Sequence, residues 1–356
     1  MSEAGSDSEL RLTRREAIRR IGGGGATLFG SGLIAGGLAQ HAVAHAATAG
    51  SSDGVDPHAE ERYSEGVLSG QLPTGAAAGM YGGDFDPPDA ASEGDLDART
   101  LAPARRSGRL ELEMEVVEVG LSISRSHRIE AWTYDGFVPG PVIRATEGDL
   151  IRIRFRNPTG HPHNLHFHGR HSPTQDGWEP VPPGGEVVYE IDAGPAGVHP
   201  YHCHTMPIDR HIARGLYGTL IVDPKGGRPP ARELVLVLGG FDPDDAGYNA
   251  VYAWNGVAGF FAKYPIKVEA GEPIRLYLLN AVEFDPVASF HLHAQTFDVW
   301  PSGMGERPAW HGDVIGLGQM ERAMLEFTLP ERGRYMFHPH QHSMAARGAM
   351  GWFAAV

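Results

Sequence analysis

The sequence predicts an all-β protein of two consecutive β-sandwich domains, and three features carry that prediction. Segments of two-residue alternation present one wet and one dry face, the mark of a strand rather than a helix. Two long phrases recur in the same order in the second half, as duplication of one sandwich requires. The 48 Gly and 27 Pro supply many turns, so the strands between them are short. Length agrees, because a single core usually stops growing before 356 residues and two ordinary domains account for the chain.

From the N-terminus, the first segment reads as an address. RLTRREAIRR at 11–20 places Arg14 and Arg15 before a Gly- and Ala-rich apolar stretch, and Ala44-His45-Ala46 supplies a small-x-small cleavage pattern. Residues 1–46 are therefore expected to be a twin-arginine export signal, with the mature chain starting near Ala47 in an extracellular, cell-surface or periplasmic setting. Glycines dilute the stretch and Gln40 and His41 break it, which makes a poor spanning helix, and the mature chain is expected to have no membrane span. Residues 47–108 are polar, acidic and rich in Gly, Pro and Ala, and are expected to form an extended arm.

Ordered pattern begins at RLELEMEVVEV, where Leu110, Leu112, Met114 and Val116 alternate with charged residues. In LIRIRFRN, Ile151, Ile153 and Phe155 face one way and Arg152, Arg154 and Arg156 the other, after the turn-forming Glu147-Gly148-Asp149. The phrase TEGDLIRIRFRN (Thr146–Asn157) is echoed by EAGEPIRLYLLN (Glu269–Asn280). GVHPYHCHTMPIDRHIARGLYGTLIV, from Gly197, is answered at the C-terminus by GRYMFHPHQHSMAARGAMGWFAAV. The Pro- and Gly-containing DPKGGRPPA at Asp223–Ala231 lies between, so one sandwich is expected over 109–228 and the other over 229–356.

Composition excludes some functions and points to another. A formal charge of −14, with no Lys/Arg cluster beyond the N-terminal segment, argues against nucleic acid as a partner. One Cys allows no disulfide within the chain, yet it stands among 19 His. His-x-His occurs at His161/His163, His166/His168, His202/His204, His291/His293, His338/His340 and His340/His342, whereas random placement gives about one such pair. A single pair is ordinarily incidental. Four at equivalent places in a duplicated chain are not, because residues i and i+2 of a strand share a side and present two imidazoles to neighbouring metal ions. A free Cys is most often an inert buried thiol. Here Cys203 is flanked by His202 and His204, with His163 upstream and His211 and Leu216 downstream. A thiolate with two imidazoles makes a trigonal copper site whose axial position is weakly held or empty.

From about Arg109 to the C-terminus these residues resemble the two-domain multicopper oxidases, relatives of laccases and more distantly of copper nitrite reductases. The resemblance implies two cupredoxin-like Greek-key sandwiches and four coppers per functional unit. It assigns the blue type 1 copper to His163, Cys203 and His211, with the non-coordinating Leu216 at the axial position where many relatives have Met, a change that raises the potential. It assigns type 2 copper to His166 and His291, and the type 3 pair to His168, His202, His204, His293, His338 and His340. Cys203, between two of those histidines, would give an electron a covalent path to the cluster. In the second domain Pro339 stands in place of the cysteine and Ala288 in place of His163, so blue copper is expected in the first domain only.

The family's chemistry is the one-electron oxidation of a small-molecule donor, a phenol or aromatic amine, coupled to four-electron reduction of O2 to water. Its members are typically homotrimers with the trinuclear cluster between one subunit's first domain and the neighbour's second. Asp176 matches an acid that relatives place near the type 2 copper and would relay protons, although TQDGWEP also reads as a plain Asp-Gly turn. His171, His311 and His342 remain as neighbouring or surface groups. Three other functions resemble this one. A copper nitrite reductase would have Asp at the position of His166, no His after the Cys, and a single ligating His from the second domain. A cuprous or other metal-ion oxidase would more often show Met-rich inserts. An electron carrier would need the blue site alone.

Overall fold

The computed structural model describes residues 84–356; the expected export signal and the arm as far as residue 83 lie outside the described residues. No helix of the described residues is long and apolar enough to cross a membrane. The two alternating segments become the first and fourth strands of a sandwich. Its strands are β1 (Leu110–Ser122), β2 (Arg128–Tyr134), β3 (Ile143–Thr146), β4 (Leu150–Arg156), β5 (His166–Phe167), β6 (Glu186–Asp192), β7 (Gly197–His202) and β8 (Tyr217–Asp223). One sheet runs β2-β1-β4-β6 and the other β3-β8-β7-β5. The parallel pairs β1–β4 and β3–β8 need long crossovers, as a Greek key has and a meander lacks.

Met114, Val116, Ile151, Ile153 and Phe155 are all buried in the first core. The opposite face carries a ladder of ion pairs, Arg152 with Glu111 and Glu190 and Arg154 with Glu186. Such exposed pairs add little stability. Burial of the apolar face drives this sheet, and the charges keep its outer side in water.

The second sandwich repeats the plan with β9 (Arg232–Phe241), β10 (Val251–Trp254), β11 (Ile266–Val268), β12 (Pro273–Ala281), β13 (Val287–Leu292), β14 (Phe297–Pro301), β15 (Trp310–Gly312), β16 (Val314–Gly318), β17 (Arg322–Thr328), β18 (Gly333–His338) and β19 (Gly351–Ala355). Its sheets run β10-β9-β12-β17-β14-β15 and β11-β19-β18-β13-β16. Without β14, β15 and β16, their order is that of the first domain strand for strand. The duplication inferred from two phrases thus extends to the whole topology.

A third apolar cluster joins the domains through Val198, Ile212, Tyr217, Val235, Tyr277 and Met324, among others. Beside it lies a buried ionic network. Arg144 on β3 donates to Asp223 on β8 and to Glu233 on β9, and Arg275 on β12 donates to Glu233 and to Glu326 on β17. Paired and hydrogen-bonded on several sides, these charges are tolerated in the interior, and loss of one partner would cost about 3–5 kcal/mol.

The described part of the arm is not uniformly extended. A short helix, α1 (Leu96–Thr100), buries Leu96 in the second core, and Leu101 bridges to Leu234. Arg105 then donates to the carbonyls of Pro224 and Lys225 at the link between the domains.

Candidate metal centres

Antiparallel pairing of β5 with β7 sets His166 opposite His202, and the chain on either side of this short ladder brings in the remaining donors. Before β5, His163 is fixed by a backbone bridge to Val181. After β7, Cys203 donates its N–H to the carbonyl of Leu216, while α2 (Ile208–Ala213) carries His211 inward. Gly215, at φ +113°, closes the return; a Cβ there would lie 2.5 Å from Val138 and 3.0 Å from the Trp132 carbonyl, so only glycine fits.

Cys203 Sγ lies 3.2 Å from His211 Nδ1 and 3.9 Å from His163 Nδ1, and the two Nδ1 atoms are 3.2 Å apart. All three residues are buried, and Leu216 beside them is fully so. Burial pushes His163 down to about 3 and His211 to about 4, with neighbouring positive charge adding to the effect, so both rings are neutral at neutral pH. It pushes the Cys203 thiol up, so a metal is needed to hold the thiolate. Two neutral imidazoles and a sulfur converging in an apolar pocket suit a copper ion in composition and arrangement. Trp132 covers them edge-on, its ring centroid 5.1 Å from that of His163 and 4.7 Å from that of His211.

The other histidines form two sets. In the first domain the donors of His166, His168 and His202 lie within one ligand sphere, and the His204 ring stands 5.2 Å from that of His166. In the second, His291 pairs with His338 across β13 and β18 and His293 joins them, with His340 5.4 Å from His291. The Nδ1–H groups of His202 and His338 donate to the carbonyls of Cys203 and Pro339, and those of His166 and His291 to the carbonyls of Asp176 and Asp313. Each of these rings is thereby fixed in the tautomer whose Nε2 lone pair is free for a metal. The Nε2 atoms of His168 and His202 face each other at 3.0 Å, and those of His293 and His338 at 2.9 Å, close enough for one ring to donate to the other or for both to face a shared cation. Among the described residues no hydrogen bond or ring contact links one set to the other.

Asp176 does two things. Besides accepting from His166 through its carbonyl, its carboxylate accepts from His171 Nε2 at 3.0 Å. The turn reading holds as well, since Gly177 has φ +75° and packs where a Cβ would meet the Leu165 carbonyl. His311 pairs with Asp298 on an exposed surface. His342 begins the short helix α4 (His342–Ala346), which follows α3 (Phe260–Lys263), and is exposed.

Sequence reasoning missed Asp313, the counterpart of Asp176. It also missed Asn164 and Ser289, whose side-chain oxygens accept the backbone N–H of His204 at 2.6 Å and of His340 at 2.7 Å. Asn164 and Ser289 occupy matching places two residues before His166 and His291, a signal available in the echo.

Comparison with known proteins follows the same division. Residues 115–227 and 229–356 each match a family model described as multicopper oxidase. The copper-containing nitrite reductase of Neisseria meningitidis serogroup B is 31% identical over 271 residues, 68% of either chain. A solved multicopper oxidase structure is 40% identical, with a TM-score of 0.68 over 70% of this chain and 89% of the other. The copper nitrite reductase from Nitrosomonas europaea is 30% identical, with a TM-score of 0.65 over 70% and 94%. With two matched cupredoxin-like sandwiches and donor sets suited to copper, the chain belongs to the multicopper oxidase family and is a copper-binding oxidoreductase.

Proposed function

We propose that this protein is a laccase-like oxidase that takes electrons singly from a small organic donor and passes them to dioxygen. One observation carries the reading. Each domain presents its own set of four histidines, at matching positions and fixed by matching partners, whereas a reductase of the kind weighed above would draw a single ligating His from the second domain. His163, Cys203 and His211 would hold a type 1 copper with Leu216 as a non-bonding neighbour, His166 and His291 a type 2 copper, and the remaining six a type 3 pair. Copper at these donors would supply one-electron acceptance at the cysteine and four-electron reduction of dioxygen at the histidine face.

The chain's own residues orient and protonate. Backbone carbonyls hold four of the rings in a ligating tautomer, and the Asp176 carboxylate, shared with His171, is placed to pass protons toward His166. The two histidine sets do not meet within one chain, which supports a homotrimer in which one copy's first domain faces the next copy's second. Export through the twin-arginine signal of residues 1–46, with folding before transport, fits a metal-loaded protein.

Nitrite reduction is the second reading, favoured by the relatives of that name. Copper content, visible absorption, oxygen uptake on a phenolic donor and nitrite consumption, measured on one preparation, separate the two. About four coppers per chain, intense blue absorption and oxygen reduced to water support the oxidase. About two coppers per chain, with nitrite consumed and oxygen ignored, would overturn it.

A further inference from the structure

We propose that Asp245, on the second domain, is a positioning residue that sets how readily the first-domain Cys203 centre accepts an electron, by holding Arg210 and Arg214 against Trp132. The proposal rests on reading that centre as a copper site. Its observations are separate from the ligands themselves. Arg214 lies over the Trp132 indole, 5.0 Å from the ring centroid, and Arg210 at 6.0 Å. The indole in turn packs edge-on against both ligand rings. Asp245 Oδ2 accepts from Arg210 Nη2 at 3.0 Å and from Arg214 Nη2 at 2.5 Å, so one carboxylate oxygen gathers both cations. Arg214 Nη1 donates to the Glu130 carbonyl on β2, which fixes the guanidinium from the other side.

The loop is built to present that carboxylate. Asp242 accepts from the N–H groups of Ala246 at 2.9 Å and Gly247 at 2.7 Å, closing a tight turn that contains Asp245. Asp245 itself has φ +52°, a left-handed conformation that few residues other than glycine adopt and that Asn and Asp tolerate better than most. A glycine would relax the backbone here and lose the clamp.

Arg210 and Arg214 place two positive charges over the indole that packs on the His163 and His211 rings, and so set a positive field at the centre beneath it. The same field favours the less positive state of any redox ion bound there, and Asp245 offsets it. From the same domain, His161 also packs on Trp132 and the Asp209 carboxylate accepts the Arg210 backbone N–H, but neither gathers both guanidinium groups. Removing the Asp245 charge would leave two uncompensated cations over Trp132 and make the centre easier to reduce. Loss of Arg214 would act in the opposite sense.

The test is a redox titration of the copper-loaded full chain, followed by the copper–thiolate absorption band. Asp245→Asn is expected to raise the reduced-to-oxidised ratio at a fixed ambient potential about tenfold, ~59 mV for a one-electron couple. Arg214→Gln should lower it, and the double variant should fall between the single ones. Asp244→Asn removes the same charge from the adjacent residue, which binds neither arginine, and should shift the ratio much less. An unchanged potential in Asp245→Asn, or a shift matched by Asp244→Asn, would overturn the proposal. Absence of the band in the copper-loaded parent is a different result, which removes the copper reading and this proposal with it.

Discussion

The two domains end in the same loop, yet only one of them could carry a thiolate metal centre. His163, Cys203, His211 and Leu216 in the first domain correspond to Ala288, Pro339, Met344 and Ala349 in the second. The backbone is conserved between them. Leu216 N–H donates to the His211 carbonyl at 3.2 Å and Ala349 N–H to that of Met344 at 3.1 Å, and Gly215 and Gly348 share φ +113°. In the second domain the space is sealed by Ala288, Met344 and Ala349, all buried in its apolar core. The histidine face is kept on both sides. The loop is therefore a frame that folds without its metal, and ligands are substitutions on that frame.

The largest break in this asymmetry is Cys203→Ser. A hydroxyl does not replace a thiolate at a trigonal copper site, so blue absorption should vanish and turnover should fall by at least about 10³-fold, with copper retained by the histidine face. Pro339→Ala, at the matching place, should leave the band untouched. Blue colour persisting in the serine variant would remove Cys203 from the centre.

Next in size is a test of how the faces meet. His168→Ala and His293→Ala should each stop oxygen consumption while sparing the blue band. If copies assemble as the proposed trimer, the two inactive chains mixed at random should recover about a quarter of the parental activity, because that share of interfaces pairs an intact first domain with an intact second. No recovery would mean that each cluster is completed within one chain.

Much of this arrangement was legible in the sequence, for stateable reasons. Strands β1 and β4 announced themselves because one face is wet, so period two survives in the residue types. The histidines were legible because i, i+2 spacing on a strand end places two rings side by side. What stayed hidden lacked such a period. The five-residue helix α1 is too short to show one, and β14, β15 and β16 have no counterpart in the first domain, so no echo reveals them. Asp313, like Trp132 and Asp245, acts through a contact between distant segments that spacing along the chain does not record. Family resemblance named ligands, but the supporting carbonyls and the clamp on Trp132 came from the fold.

A smaller effect sharpens the comparison on the second domain. Met344 fills the place of His211 with apolar volume, so Met344→Ala in copper-free protein should cost about 2–5 kcal/mol through the cavity it leaves. His211→Ala should cost less than half as much, because it removes a polar ring held against another. With copper bound the order should reverse, since loss of a ligand also forfeits the stabilisation that metal binding adds. Denaturant unfolding of both variants, with and without copper, reads all four values.

The smallest expected effect is a dependence on pH to which the first domain's buried centre contributes and the matching, sealed loop of the second domain does not. His163 and His211 are held at about 3 and about 4 against an ordinary 6.5, chiefly by burial. Between those values and 6.5 the unfolded chain binds protons that the folded chain refuses, so stability rises with pH. The contribution is complete above about pH 6.5 and is lost as pH falls toward 3. Ala288 and Met344 hold no proton and give the second domain's loop no such slope. His168, at about 3, and His202 and His293, each at about 4, share the window, and His199 and His338 are lowered too, so replacing His163 and His211 with the second domain's Ala and Met should reduce the slope without abolishing it. Copper-free unfolding measured from pH 7.5 down to pH 4.5 in the parent and in His163→Ala/His211→Met checks this. Equal slopes would show that the two rings already take up protons in the fold, and the neutral, metal-ready pocket would have to be abandoned.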